Sequence, residues 1–377
     1  GTVLNPEDQL WEPVLKSDVN DLRMTSGGVS QNKKIYTRDV IKTTNVPFSK
    51  FDIYKSFEDS LDKMVSDKKI NSWMDAPYDW RYDPLYVVEH GMINSDGQLT
   101  YVNDLPQNLK PYIVAELESL AQTSKTGKVT IITHSNGGLI VKALIAKLQK
   151  MHDAGENNDL DKIDKVIMVA APQLGTPDAI AGLLNGIAIG NKFVTLVDAS
   201  TTREFGKNLP GAYGLLPSQK YFNHIQEPVV KFDSSLDSIN NFHKKYGDSI
   251  TTYAKMKEFL LGVLDQRNDP AVEDTISPAV LNKLLVVSAD VTHSTLDSYQ
   301  FPENIQLYKI AGWGQTTVSG LEYKTRQDCD FKVLFCVPVL DEKMIPTSNG
   351  DATVIADSAT VGDRSEERRV GKECLRL

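Results

Sequence analysis

The segment ITHSNGGL at residues 132–139 holds the side chain of this chain best suited to covalent chemistry. Ser135 stands between a β-branched run and small residues, a pattern that predicts a hydroxyl at the apex of a tight turn. Because a serine hydroxyl is a weak nucleophile, it needs a base and hydrogen-bond donors for the developing oxyanion. We predict Ser135 as the nucleophile and the backbone N–H of Asn136 as an oxyanion donor. An ordinary serine in the first turn of a helix is the alternative.

The elements around Ser135 alternate between strand and helix. Residues 128–133 form a short β-branched run that predicts a buried strand, and residues 139–151 are apolar and rich in helix formers. A second strand is predicted at 165–171, about 30 residues on, which fits one crossover in a parallel sheet. Another helical pattern covers 109–122. We therefore predict an α/β fold, a mostly parallel sheet with helices on both faces.

The domain organisation follows from where this alternation stops. From 172 to 302 the pattern changes to Gly, Asn and Ser turns with short helical pieces, which indicates an inserted cap. Residues 305–311 alternate like a strand, and a hairpin is predicted within 321–340. The predicted core therefore comprises residues 1–171 and 303–363 on either side of the cap.

Five short motifs carry a resemblance to a known family. They are APYDWR at 76–81, THSNGG at 133–138, VAAPQLGTP at 169–177, YKIAGWG at 308–314 and NGDATV at 349–354. In this order they make the chain resemble the lecithin:cholesterol acyltransferase-like family of α/β-hydrolases, which includes lysosomal phospholipase A2 and bacterial esterase and lipase relatives. One departure is Thr133, which replaces the first Gly of the usual G-x-S-x-G motif.

The resemblance implies an α/β-hydrolase fold and a serine ester hydrolase or O-acyltransferase. Such an enzyme acts on lipid or other acyl esters through an acyl-enzyme intermediate, with no cofactor and no metal ion. A non-catalytic binding or surface-adhesion module on the same fold, or an amidase or peptidase, remain alternatives. The resemblance also favours an extracytoplasmic or secreted location, which the sequence itself leaves open, as it does the oligomeric state.

By the same resemblance Asp351 of NGDATV is the acid that orients the catalytic histidine. Read without the family, it belongs to a polar turn. The histidine is harder to place, because none of the six lies after Asp351, where this fold carries it. We expect it beyond residue 363, and the first oxyanion donor before residue 1. A local pair of Asp290 and His293 is the rival.

The two ends of the chain are expected to be foreign or incomplete. Residues 364–374 read RSEERRVGKEC, the in-frame translation of a common sequencing adapter. We therefore expect 364–377 to pack against nothing and exclude it from the fold. The chain begins at Gly1 without a methionine or a leader, which says nothing about localisation.

Composition excludes several classes of protein. With 41 Lys and Arg against 50 Asp and Glu, the 377-residue chain has a net charge of −9, which argues against a nucleic-acid partner. Three cysteines are too few for a disulfide framework, and no CxxC pair suggests a zinc site. For Cys329 and Cys336 a bridge is conceivable, but free thiols are preferred here.

Two further segments have both a structural and a functional interpretation. In APYDWR, Asp79 and Arg81 are predicted to form a buried ion pair, the alternative being a brace beside the mouth of the site. The apolar cap segment 179–197 could line an acyl-chain pocket, touch a lipid surface transiently, or form ordinary cap core. The sequence does not separate these last readings.

Overall fold

The computed structural model describes residues 3–4, 10–11, 13, 16–32, 35–37, 40–43, 52–90, 93–95, 98–100, 112–190, 195–330, 335–361 and 366–370. The strands are β1 Val3–Leu4, β2 Tyr36–Thr37, β3 Ile93–Ser95, β4 Gln98–Thr100, β5 Val129–His134, β6 Ile163–Val169, β7 Ile189–Gly190, β8 Thr195–Val197, β9 Val230–Phe232, β10 Ser249–Ile250, β11 Gln306–Gly312, β12 Thr317–Asp330, β13 Phe335–Thr347 and β14 Glu366–Val370. The helices are α1 Lys16–Asp21, α2 Lys55–Ser66, α3 Pro84–His90, α4 Tyr112–Thr123, α5 Gly137–Asp153, α6 Pro177–Leu184, α7 Ala199–Gly206, α8 Pro210–Tyr213, α9 Gln219–His224, α10 Phe242–Tyr246, α11 Tyr253–Leu260, α12 Lys283–Leu296 and α13 Ala356–Thr360.

The central sheet contains four parallel strands in the order β14-β11-β6-β5. In its register Val169 lies beside both His134 and Ile310, so β5, β6 and β11 end at the same edge. The alternation that predicted an α/β fold with a mostly parallel sheet is thereby confirmed. Loops that follow these three strands meet at one edge, where ligands of open α/β sheets bind.

Helix α5 packs against the central sheet and forms the middle of the first hydrophobic core. Its apolar residues, among them Leu144, Ile145 and Leu148, are almost completely buried, as are Val166 and Met168 of β6. Ten of the 17 residues of the helix are buried. This burial holds the first turn of α5, and the residues just before it, in a fixed position.

A second hydrophobic core lies within the predicted cap and includes residues of the long hairpin formed by β12 and β13. A second sheet runs β10-β9-β12-β13, in which β9 pairs with β12 in parallel. Leu321 and Tyr323 of β12 are fully buried against cap residues such as Phe232 and Phe259. The boundary between core and cap stays a prediction. What the structure adds is that β12 and β13 share a sheet and a core with the cap.

The apolar cap helix α6 forms ordinary core. Ile180, Leu183 and Leu184 are buried in the second core, whereas Ile187, just beyond the helix, is exposed. Of the three readings left open for residues 179–197, core packing therefore applies to the part of the segment that lies in α6. Residues 191–194 lie outside the described residues.

The expectation that residues 364–377 pack against nothing is wrong for five of them. Glu366–Val370 form β14, which pairs in parallel with Tyr308–Gly312 of β11. The physical reason is that an edge strand exposes unpaired backbone N–H and C=O groups, and an extended segment pairs with them whatever its side chains. The proposed foreign origin of the segment stays a prediction. Residues 362–365 and 371–377 lie outside the described residues.

The preference for free thiols is also wrong, because Cys329 and Cys336 form a disulfide. The two residues stand directly opposite each other on β12 and β13, with a Cα–Cα distance of 4.0 Å. A spacing of seven residues does not reveal the register of a hairpin, so the sequence could not show this apposition.

None of the helices in the described part of the chain is long and apolar enough to cross a membrane.

Candidate active site

Ser135 lies in a strained turn between β5 and α5. Its φ angle is +54°, in the left-handed region that residues with a side chain rarely adopt. The strand ends at His134 and the helix begins at Gly137, with Asn136 as its N-cap. The prediction of a sharp turn between a strand and a helix at this serine is confirmed. Such a turn lifts the hydroxyl above the edge of the sheet.

Small residues follow this turn because the helix starts very close to the sheet. A Cβ atom on Gly138 would lie 2.3 Å from the Cβ of Ala171, which follows β6. On Gly137 it would lie 3.3 Å from the Cβ of Thr133. The missing side chain at Gly137 thus leaves room for Thr133, the residue that departs from the usual motif.

The backbone around Ser135 leaves a donor available at the edge of the sheet. The N–H of Ser135 donates to the carbonyl of Val169 at 2.9 Å, and that of Gly138 to the carbonyl of Ser135 at 2.9 Å. The N–H of Asn136 makes no hydrogen bond to any described residue. It stands at the N-terminus of the 17-residue helix α5, where the helix dipole favours negative charge.

Asp351 lies at the same edge, above the end of β11. A Cβ atom on Gly312, the last residue of β11, would lie 2.7 Å from the Cβ of Asp351. One oxygen of the Asp351 carboxylate accepts hydrogen bonds from the backbone N–H groups of Thr353 (3.0 Å) and Val354 (2.8 Å). These bonds fix the carboxylate. Burial lowers the pKa of His134, the neighbour of Ser135, and the charge of Asp351 opposes this shift.

No histidine connects Ser135 with Asp351 among the described residues, which include all six histidines of the chain. The hydroxyl of Ser135 has no hydrogen-bond partner in this part of the chain. Three histidine rings bond elsewhere: His134 with Tyr54 at 2.7 Å, His243 with Asp248 at 2.9 Å and His293 with Asp297 at 2.9 Å. The rival pair is not formed either, because Asp290 bonds to Tyr253 and Lys257.

Two tyrosines border the turn, and the sequence reasoning did not assign them to the site. Tyr54 hydrogen-bonds to Nδ1 of His134, a ring whose pKa is lowered because the surrounding protein desolvates it. Burial raises the pKa of Tyr78 strongly, and its interaction with the side chain of Asn136 opposes that rise. Tyr78 belongs to APYDWR, so that motif carried a signal. Nothing in the sequence distinguished Tyr54.

The Asp79–Arg81 pair has the structural role predicted for it. The guanidinium bonds both carboxylate oxygens, with Nε–Oδ1 at 2.9 Å and Nη2–Oδ2 at 2.6 Å, and both residues are buried. Arg81 also donates to the carbonyl of Leu22 at 2.9 Å and to the hydroxyl of Ser30 at 3.2 Å. These contacts tie the N-terminal segment to the loop that carries Tyr78.

A parallel sheet with a strained serine turn and an acidic loop at one edge defines an α/β-hydrolase fold. The family model for lecithin:cholesterol acyltransferase matches residues 35–370. The chain therefore belongs to the lecithin:cholesterol acyltransferase family, as its motifs indicated.

Two curated relatives and one solved structure are similar to the chain. Phospholipase A(1) LCAT3 of Arabidopsis thaliana is 24% identical over 267 residues, 68% of this chain and 55% of that protein. Lecithin-cholesterol acyltransferase-like 4 of the same plant is 24% identical over 283 residues, 71% of this chain and 49% of that protein. The crystal structure of a Tle4–Tli4 complex shares 15% identity at a TM-score of 0.45, covering 78% of this chain and 60% of that one. The chain spans about half the length of the curated relatives.

Proposed function

We propose that this protein is a serine ester hydrolase or O-acyltransferase that acts on lipid or other acyl esters through an acyl-enzyme intermediate. The observation that carries the proposal is the left-handed turn at Ser135, placed at the sheet edge where the loop of Asp351 also lies. Family membership and two relatives named for phospholipase A1 and lecithin–cholesterol acyltransferase activity support the lipid ester as substrate.

In this proposal Ser135 attacks the ester carbonyl and the Asn136 N–H donates to the oxyanion that forms. The positive end of α5 contributes to the same stabilisation. Asp351 holds a histidine in the tautomer that accepts the serine proton and stabilises the imidazolium. Collapse of the intermediate expels the alcohol, and water or a second alcohol then takes the acyl group from Ser135.

The base of the proposed reaction is a histidine that is not among the six of this chain. Each of them lacks a hydrogen bond to Ser135 and to Asp351, and His134 is engaged by Tyr54. A serine without its base is not activated. We therefore expect the 377-residue chain to have little or no esterase activity. We expect a longer chain that carries a histidine downstream of Asp351 to be active.

Hydrolysis of a p-nitrophenyl ester by that longer chain tests the proposal. Ser135→Ala should lower kcat/KM by about 10³-fold or more, since the acyl-enzyme cannot form, and Asp351→Asn by about 10²–10⁴-fold. Ser66→Ala, at the exposed end of α2, is the matched control and should leave the rate unchanged.

One outcome decides against the assignment of the base, and two others decide against the proposed function. Full activity in the printed chain would mean that one of its own histidines serves as base. No hydrolysis by the longer chain would favour the non-catalytic binding module. Cleavage of a p-nitroanilide in preference to the matching ester would favour the amidase.

A further inference from the structure

A cavity of about 220 Å³ lies between β11, the second turn of α5 and the segment 297–303 that follows α12. Two lysines contribute to its wall, Lys142 from α5 and Lys309 from β11. Lys142 lies five residues, about 7.5 Å, along α5 from its first residue Gly137, and neither Ser135 nor Asp351 lines the cavity. The cavity is therefore separate from the turn proposed to carry the nucleophile.

Both lysines are buried, and one of them has no partner among the residues that the structure describes. Lys142 is 4% exposed, lines the cavity, and forms neither a hydrogen bond nor an ion pair with any described residue. Lys309 is 2% exposed and donates to the carbonyls of Val361 (2.5 Å) and Thr360 (3.5 Å) at the C-terminus of α13. A buried ammonium group without an acceptor is costly, so it calls for an acceptor inside the cavity.

Among the described residues, no other charged group around Lys142 hydrogen-bonds to it. Asp297, the C-cap residue of α12, also lines the cavity, and one oxygen of its buried carboxylate is bonded to Nδ1 of His293 at 2.9 Å. From α9, Lys220 donates to the backbone carbonyl of Asp297 at 3.1 Å and adds positive charge. Glu303 is exposed, so solvent screens its charge.

The electrostatics of Lys142 follow from this surrounding. Burial lowers its pKa to about 8; the charges of Lys309 and Lys220 act in the same direction, and that of Asp297 opposes them. An anion placed between Lys142 and Lys309 would raise the pKa of Lys142, which opposes the effect of the positive charges of Lys309 and Lys220. It would also satisfy the Lys142 donors.

We propose that this cavity binds a small oxyanion, inorganic phosphate or the carboxylate of a short organic acid, between Lys142 and Lys309. Its volume admits an anion of a few heavy atoms together with water, and its two lysines favour a charged group over an acyl chain. The proposal does not depend on the esterase function, because none of these side chains takes part in the chemistry proposed for Ser135.

Isothermal titration calorimetry on the printed chain, at constant ionic strength and pH 7, tests the site with two probes, inorganic phosphate and acetate. Saturable binding of at least one probe is expected. Lys142→Met should weaken that binding at least tenfold. The matched control is Lys150→Met on the exposed side of α5, which should change it less than twofold. The probe that binds more tightly shows whether the site prefers inorganic phosphate or a carboxylate.

Reductive methylation of the wild-type chain, followed by mass spectrometry, gives a second readout that needs no variant. Saturating anion should lower the labelling of Lys142 at least fivefold and leave that of Lys150 unchanged. The proposal is overturned if neither probe binds, if Lys142→Met binds with wild-type affinity, or if the bound anion does not protect Lys142.

Discussion

Ser135 shows how a single residue can carry both strain and chemistry. Its φ of +54° is a conformation that a Cβ atom disfavours, and the hydrogen bonds of its own N–H and carbonyl hold it there. The cost of such a conformation is about 1–2 kcal/mol for a residue with a side chain. The turn persists because α5 and β6 are fixed around it by a buried core.

This strain predicts different stabilities for two inactive variants. Ser135→Gly should have a free energy of unfolding about 1 kcal/mol higher than Ser135→Ala, because both lack the hydroxyl but only glycine adopts positive φ without a steric cost. Urea unfolding of the two variants measures the difference. Equal stabilities would show that the turn is relaxed in solution.

At the scale of elements, the packing of α5 on β6 decides where the nucleophile turn lies. The helix approaches so closely at Gly138 that no side chain fits there against Ala171. This approach explains the glycine at 138, and the contact with Thr133 of β5 explains the glycine at 137, although helix propensity alone would treat both as unfavourable. The requirement comes from the distance between two elements and not from the local chain.

We predict that Gly138→Ala destabilises the protein by about 1–3 kcal/mol, because the new methyl group must push α5 away from β6. Thermal unfolding measures the loss. Gly27→Ala is the control, since a Cβ atom there meets nothing closer than 3.8 Å, and it should change stability by less than about 0.5 kcal/mol. The prediction is contradicted if both variants unfold at the same temperature.

At the scale of the whole molecule, the buried lysine links stability to pH. The pKa of Lys142 is lowered to about 8 from an ordinary value of 10.5, so the unfolded chain binds this proton more tightly than the folded one. The buried charge therefore destabilises the protein below pH 8. That penalty disappears as the pH rises from about 8 to about 10.5.

Wild-type stability in phosphate-free buffer should consequently increase by about 2–4 kcal/mol relative to Lys142→Met between pH 7 and pH 10.5, at 1.36 kcal/mol per pKa unit. Parallel urea unfolding of the two proteins at several pH values provides the measurement, and the difference removes the titration of all other groups. A difference that is constant with pH would show that Lys142 titrates normally.

The sequence by itself determined the alternation of strand and helix, the position of Ser135 in a turn, and the family. These features are local, because hydrophobic periodicity and turn chemistry are set by residues close in the chain. The strands predicted at 128–133, 165–171 and 305–311 appear as β5, β6 and β11, each within two residues of the expected bounds at either end. The catalytic role of Asp351 could be predicted only from the family motif, because a polar turn has no hydrophobic periodicity that would distinguish one of its residues.

Only the tertiary structure decided which distant residues meet. The apposition of Cys329 and Cys336 depends on hairpin register, and the pairing of β14 depends on a free edge of β11. The contact of Tyr54 with His134 joins residues 80 positions apart. The cavity of Lys142 likewise combines residues from a helix, a strand and a loop. Such contacts arise from the packing of whole elements, which no short stretch of sequence encodes.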